Sequence, residues 1–74
     1  MFGISERIVE RLRKEYPAGT RVELVSMEDF QAPPAGTKGI VRSVDDMGTI
    51  HVNWDTGSSL GVAYGEDVCR RISE

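Results

Sequence analysis

Thr49-Ile50-His51-Val52-Asn53-Trp54 alternates apolar and polar side chains without a break. A period of two sends successive side chains to opposite faces of an extended chain. Ile50, Val52 and Trp54 therefore share one face, and Thr49, His51 and Asn53 share the other. This is the signature of a half-buried β-strand. Asp45-Asp46-Met47-Gly48 precedes it and Asp55-Thr56-Gly57 follows it. Both are turn sequences in which aspartate caps local amides and glycine supplies a positive φ.

The same period extends outward. Thr20 to Ser26 alternates, with Val22 and Leu24 on one face, and Thr37 to Val44 reads as a second strand. Gly39 inside that strand predicts a bend or a close backbone approach. Met27 to Gly36, carrying Pro33-Pro34, is a loop because proline cannot supply ladder hydrogen bonds. Ser58 to Val62 is expected to return as a strand. Gly65-Glu66-Asp67 turns the chain, and Cys69 to Ile72 closes the set. About five short strands are too few for two full sheets. One twisted sheet curled into a small barrel also hides its edges. The expected fold is all-β, or mainly β: an SH3-like barrel over residues 18–74, preceded by one N-terminal α-helix within residues 1–17 that is not an independent domain.

That helix is read from a change of period. Ile4, Ile8 and Leu12 recur every four residues with Val9 and Tyr16 beside them, giving one apolar stripe. Ser5 is the expected N-cap, and Ile4 with Val9 forms a hydrophobic staple. Glu10 and Lys14 form a favourably ordered i,i+4 pair. Pro17 ends the helix, since the residue before proline is pushed out of helical geometry. So short a helix is marginal alone in water, and its stripe must cover the barrel or mediate a homodimer.

Composition narrows the class. The chain has 74 residues, enough for one domain and a modest core. A domain this small buries only about 60% of its unfolded surface. One cysteine, Cys69, allows no internal disulfide, and the N-terminal run turns charged at once, so a reducing cytoplasm is the expected location. Nothing approaches the roughly 20 apolar residues of a membrane span, so no membrane association is expected. The net charge of −3 divides into +1 over residues 1–17 and −4 over the rest. An acidic barrel is poorly suited to neutralising phosphates, which ranks nucleic acid below protein or peptide as a partner.

Three runs carry a family resemblance: Tyr16-Pro17-Ala18-Gly19-Thr20-Arg21-Val22, Gly36-Thr37-Lys38-Gly39-Ile40-Val41, and Ile50-His51-Val52-Asn53-Trp54-Asp55-Thr56-Gly57-Ser58. Together they resemble a bacterial domain-of-unknown-function family, the one numbered 4314, from Tyr16 to Ile72. The resemblance implies no activity. Gly39-Ile40-Val41 followed by Val52-Asn53-Trp54-Asp55-Thr56-Gly57 is more distantly similar to SH3-like domains of the mind-bomb type, which are protein-interaction modules. KOW-type barrels, which bind RNA or protein, share a similar glycine-hydrophobic-valine opening. After Tyr64 the chain departs from the mind-bomb pattern, where Gly65-Glu66-Asp67-Val68 replaces a longer closing segment.

No chemical constellation stands out. One histidine and one cysteine fall short of a zinc site. His51 and Cys69 are the sole nucleophile–base pairing on offer, and His51 reads as a polar-face strand residue and Cys69 as a semi-buried thiol. Asp45, Asp46, Asp55 and Asp67 are spread over separate turns rather than gathered in one cation loop. Arg7, Arg11 and Lys14 interleave with acids, as on a solvated helix face. No catalytic residue, metal ligand or cofactor is therefore expected. Trp54 has two readings, as a core residue or as a binding anchor with Tyr64 and Phe30. The same aromatics, with Tyr16, are the sole candidates for a methyl-lysine cage. The expected function is a non-catalytic protein-interaction module binding through Phe30, Trp54 and Tyr64. The alternative is a KOW-like nucleic-acid-binding accessory protein.

Overall fold

A computed structural model describes residues 5–73 of the chain. It is mainly β, with α1 (Glu6–Glu15) followed by β1 (Arg21–Ser26), β2 (Lys38–Val44), β3 (Thr49–Trp54), β4 (Val62–Ala63) and β5 (Val68–Arg71). The strands form one antiparallel sheet in the order β4-β3-β2-β1-β5.

This order places β4 and β5 at opposite edges although only four residues join them. Laid flat, five strands would hold the edges about 19 Å apart, given a spacing of roughly 4.8 Å per gap. The connection is not extended: the amides of Glu66 and Asp67 both donate to the Ala63 carbonyl, at 3.1 and 2.9 Å. Such a turn holds its ends within roughly 7 Å. The sheet therefore curls enough to bring together the strand ends that this turn joins, and β4 and β5 are in contact. No ladder joins them among the described pairings, so the curled sheet is not closed by backbone hydrogen bonds.

Two bulges help the curl. Val25 is the extra residue where β1 meets β5, and Arg42 is the extra residue where β2 meets β3. A bulge bends its strand and increases local twist. At Gly39 the expected close approach is present. A Cβ built there would lie 2.6 Å from Val52 Cγ1 and 2.8 Å from both the Asn53 carbonyl oxygen and Trp54 Cε3. Glycine at this position lets β2 lie against the Trp54 ring across the ladder, where Gly39 pairs with Trp54.

The core follows the alternation. Val22, Leu24, Val41, Val44, Ile50, Val52, Trp54 and Val62 point inward from the sheet, and Leu12 joins them from the helix. Ser5 caps α1, its Oγ accepting from the Arg7 amide at 3.1 Å. Ile4, the other half of the expected staple, lies outside the described residues. Part of the apolar stripe covers the sheet: Val9 and Leu12 are buried, and α1 packs on β2. Two arginines tie the helix down. Arg13 Nε donates to the Val44 carbonyl at 3.1 Å and its Nη2 to Asp46 at 2.7 Å, while Arg71 Nη1 donates to the Glu15 carbonyl at 3.1 Å. The last contact satisfies a carbonyl that the helix C-terminus leaves without an internal partner.

The expected strand from Ser58 to Val62 shortens to Val62–Ala63. The backbone before it is engaged elsewhere. The Ser58 carbonyl accepts from the Trp54 amide, the Leu60 carbonyl accepts from the Trp54 indole, and the Leu60 amide donates to Ser58 Oγ. The segment wraps around tryptophan instead of extending the ladder.

Candidate functional site

Trp54 ends β3 on its inward face and is only 3% exposed. Its indole N–H donates to the Leu60 carbonyl at 2.8 Å. A buried tryptophan needs that partner for its polar edge, and the ring is part of the core rather than of a surface. Phe30 is the opposite case. It sits at the tip of the β1–β2 loop, 97% exposed, where the Asp29 carboxylate accepts from the Gln31 amide and shapes the turn. Tyr64, half-exposed, follows β4. The three aromatics named from sequence thus occupy three different environments.

Tyr64 borders a cleft of about 360 Å³ at the seam of the curled sheet. Leu12 of α1 and Tyr16, which caps its C-terminus, form one wall. Ile50 and Val62 form the floor, and Tyr64, Val68 and Cys69 form the other wall. Arg11, Glu15 and Asp67 stand around the apolar surface. Neither Trp54 nor Phe30 lines it. The cleft exists because β4 and β5 touch without pairing, leaving a gap that α1 roofs only in part. A volume of this size lies near the lower end for ligand pockets, roughly 300 Å³ and upward. It suits one large apolar side chain.

A second, more polar hollow adjoins it, with Tyr16 and Cys69 as the shared wall. Arg21, Arg70 and Arg71 line this part. Arg21 forms a two-pronged pair with Asp55, and Arg70 pairs with Glu23 across β1 and β5. Arg71 and Arg11 have no carboxylate partner among the described residues. Together the two hollows form a groove along the free edge of β5, apolar at one end and basic at the other.

The ionisable groups in the groove are set by burial. Desolvation pushes the Cys69 thiol up to about 11, so it stays protonated at neutral pH. The Tyr16 hydroxyl is also raised, first by burial and then by Cys69 and Glu15, with Arg71 acting in the opposite sense. His51 does not meet Cys69 as a base. Its Nε2 lies 2.8 Å from the carboxylate of Asp45, on the same hairpin.

The turn aspartates have structural partners. Asp45 accepts from the Met47 and Thr49 amides, and its carboxyl is held below the ordinary range first by the Thr49 amide and then by His51. Asp46 pairs with Arg13, Asp55 with Arg21, and Asp67 accepts from the Ala63 amide. No group of three or more His, Cys, Asp or Glu residues gathers as a metal site among the described residues. No helix among them is long and apolar enough to cross a membrane.

Sequence reasoning reaches Tyr64, and Tyr16 beside it as a border aromatic of a methyl-lysine cage, but misses Leu12 and Val68 as walls of the same cleft. Tyr16 was visible as the last member of the helical stripe. Val68 carried no signal, because its exposure depends on the bulge that shifts β1 against β5.

No curated protein and no solved structure matches the chain significantly. A family profile described as a domain of unknown function, DUF4314, matches residues 5–72, nearly the whole length, and the chain belongs to that family.

Proposed function

We propose that this chain is a non-catalytic, cytoplasmic protein-interaction module of the SH3-like barrel type, docking a peptide segment at the cleft beside Tyr64. One observation carries the reading. The seam between β4 and β5 is an apolar cleft that the chain's own side chains leave open, with two aromatic rings and a valine on its walls. Apolar concavities flanked by tyrosine and arginine are the usual anchoring points of protein interfaces. The curled sheet order and the tight β4–β5 turn support the SH3-like description. The single cysteine, with no second one to bridge to, suits a reducing compartment. The KOW-like alternative draws little support from the charges, since Arg21 and Arg70 are already paired with carboxylates.

A peptide-display selection tests this directly. The wild-type protein and Tyr64→Asp serve as parallel targets. Peptides enriched on wild type should lose binding to Tyr64→Asp, which places a charge at the cleft wall. If selection yields no peptide, or yields peptides indifferent to Tyr64→Asp, the cleft is not the docking site.

A further inference from the structure

The groove and the Phe30 loop are complementary, and from this we infer that the occupant of the groove is the Phe30 loop of a second copy of this chain. The inference rests on the groove being a peptide-docking site and adds the identity of the peptide. The loop presents Glu28-Asp29-Phe30, an aromatic side chain 97% exposed beside two acids. The groove presents an apolar cleft large enough for one such ring, next to a run of guanidinium groups. Arg11, Arg21, Arg70 and Arg71 line the two hollows; Arg21 and Arg70 are already paired with Asp55 and Glu23, which leaves Arg11 and Arg71 as the guanidiniums that an acidic occupant would meet.

Charge complementarity selects this occupant over a basic or neutral one. Arg11 and Arg71 lack carboxylate partners among the described residues, and Glu28 lacks a cationic one. Docking Phe30 between Tyr16 and Tyr64 would bring Glu28 and Asp29 within reach of those guanidiniums. Phe30 does not line the groove of its own chain. The contact is therefore between copies, and it is heterologous, loop to groove. Such a contact closes into a ring or a reciprocal dimer if the geometry returns on itself, and otherwise grows into a chain. Pairing two β5 edges directly is disfavoured, since it would set Arg70 and Arg71 against the same residues of the partner.

The test uses complementary variants of the full chain. Phe30→Ala removes the plug and leaves the groove; because Phe30 is almost fully exposed, the change does not disturb the core. Tyr64→Asp spoils the groove and leaves the plug. Sedimentation velocity from micromolar to millimolar concentration should show wild-type association that weakens as salt screens the ion pairs. Each variant alone should remain monomeric. A mixture of the two should recover a one-to-one complex, because each supplies the part the other lacks, a result that mere misfolding of either variant would not produce. A synthetic peptide spanning Ser26–Pro34 should shift the amide resonances of Tyr64 and Val68. Wild type that stays monomeric, with no shift from the peptide, overturns the inference. Association that persists unchanged in Phe30→Ala overturns it equally. If self-association fails while display-selected peptides still require Tyr64, self-docking is wrong and the docking cleft stands.

Discussion

Replacing Gly39 with alanine adds one methyl group at the most crowded point of the sheet. The new carbon would sit 2.6 Å from Val52 Cγ1 and 2.8 Å from the Asn53 carbonyl oxygen and Trp54 Cε3. Carbon atoms prefer about 3.5–4.0 Å, so all three contacts are repulsive. None yields readily. Val52 is fully buried, Trp54 is 3% exposed and tied to Leu60 through its indole, and the Asn53 carbonyl belongs to the paired strand. Relief requires β2 to move away from β3 or the tryptophan to tilt into an occupied core.

Overpacking of this kind costs about 1–3 kcal/mol. The lower chain entropy of unfolded alanine offsets about 0.4–1 kcal/mol of that. The net expectation is a loss of about 1–2 kcal/mol. For a domain of this size each kcal/mol moves Tm by about 4–8 °C, so Gly39→Ala should melt roughly 5–15 °C lower. The assay is thermal unfolding followed by circular dichroism, with urea titration for the free energy. Asn53→Ala on the exposed face of the same ladder is the control, with a change within about 0.5 kcal/mol. A Gly39→Ala protein that melts with wild type would refute the close packing of β2 on Trp54.

Three further outcomes follow from particular contacts. Arg13→Ala should cost about 1 kcal/mol in urea unfolding, because it removes a hydrogen bond to the Val44 carbonyl as well as the Asp46 pair. Asp46→Ala removes only an exposed pair and should cost less than about 0.5 kcal/mol; the reverse order would contradict the role given to Arg13. Asp45 and Asp55 have native carboxyl values below the ordinary 3.8, through the Thr49 amide and Arg21 respectively. Their contribution is complete above the unfolded value and is lost as pH falls through the native one, so Tm should decline below about pH 4, less steeply in Asp45→Asn. An acid limb identical in Asp45→Asn would deny Asp45 that part. Finally, the Cys69 thiol, raised from 9.0 to about 11, should carry roughly 100-fold less thiolate than an exposed cysteine at neutral pH. Its alkylation should be correspondingly slow until the protein is unfolded, and rapid native alkylation would contradict its burial.

Much of the fold was legible because local signals agreed. The alternation from Thr49 to Trp54, the Ser5 cap and the glycine after Asp45-Asp46-Met47 each have one physical reading, and the structure matches them. The sequence predicts too long a β4 because the Leu60 backbone before it is taken up by the Trp54 indole and the Ser58 hydroxyl, which no periodicity registers. The ties made by Arg13 and Arg71 were hidden for the same reason: they join residues 31 and 56 positions apart. The candidate site was the least legible part. Its cleft is a product of how two edges meet, and only Tyr64 among its walls advertised itself as an exposed aromatic. From sequence Trp54 fits both core and anchor, since an inward-facing tryptophan at a strand end suits either until its neighbours are known.

The docking cleft itself is tested most directly by site-specific photocrosslinking in the cells that make the protein. A photoreactive phenylalanine analogue replaces Tyr64 in one strain and Met47 in another; Met47 is exposed but lies outside the groove. The expected result is a discrete protein adduct from position 64 and none from position 47. Adducts from position 47 alone, or from neither position, would contradict a protein-docking role for the seam between β4 and β5.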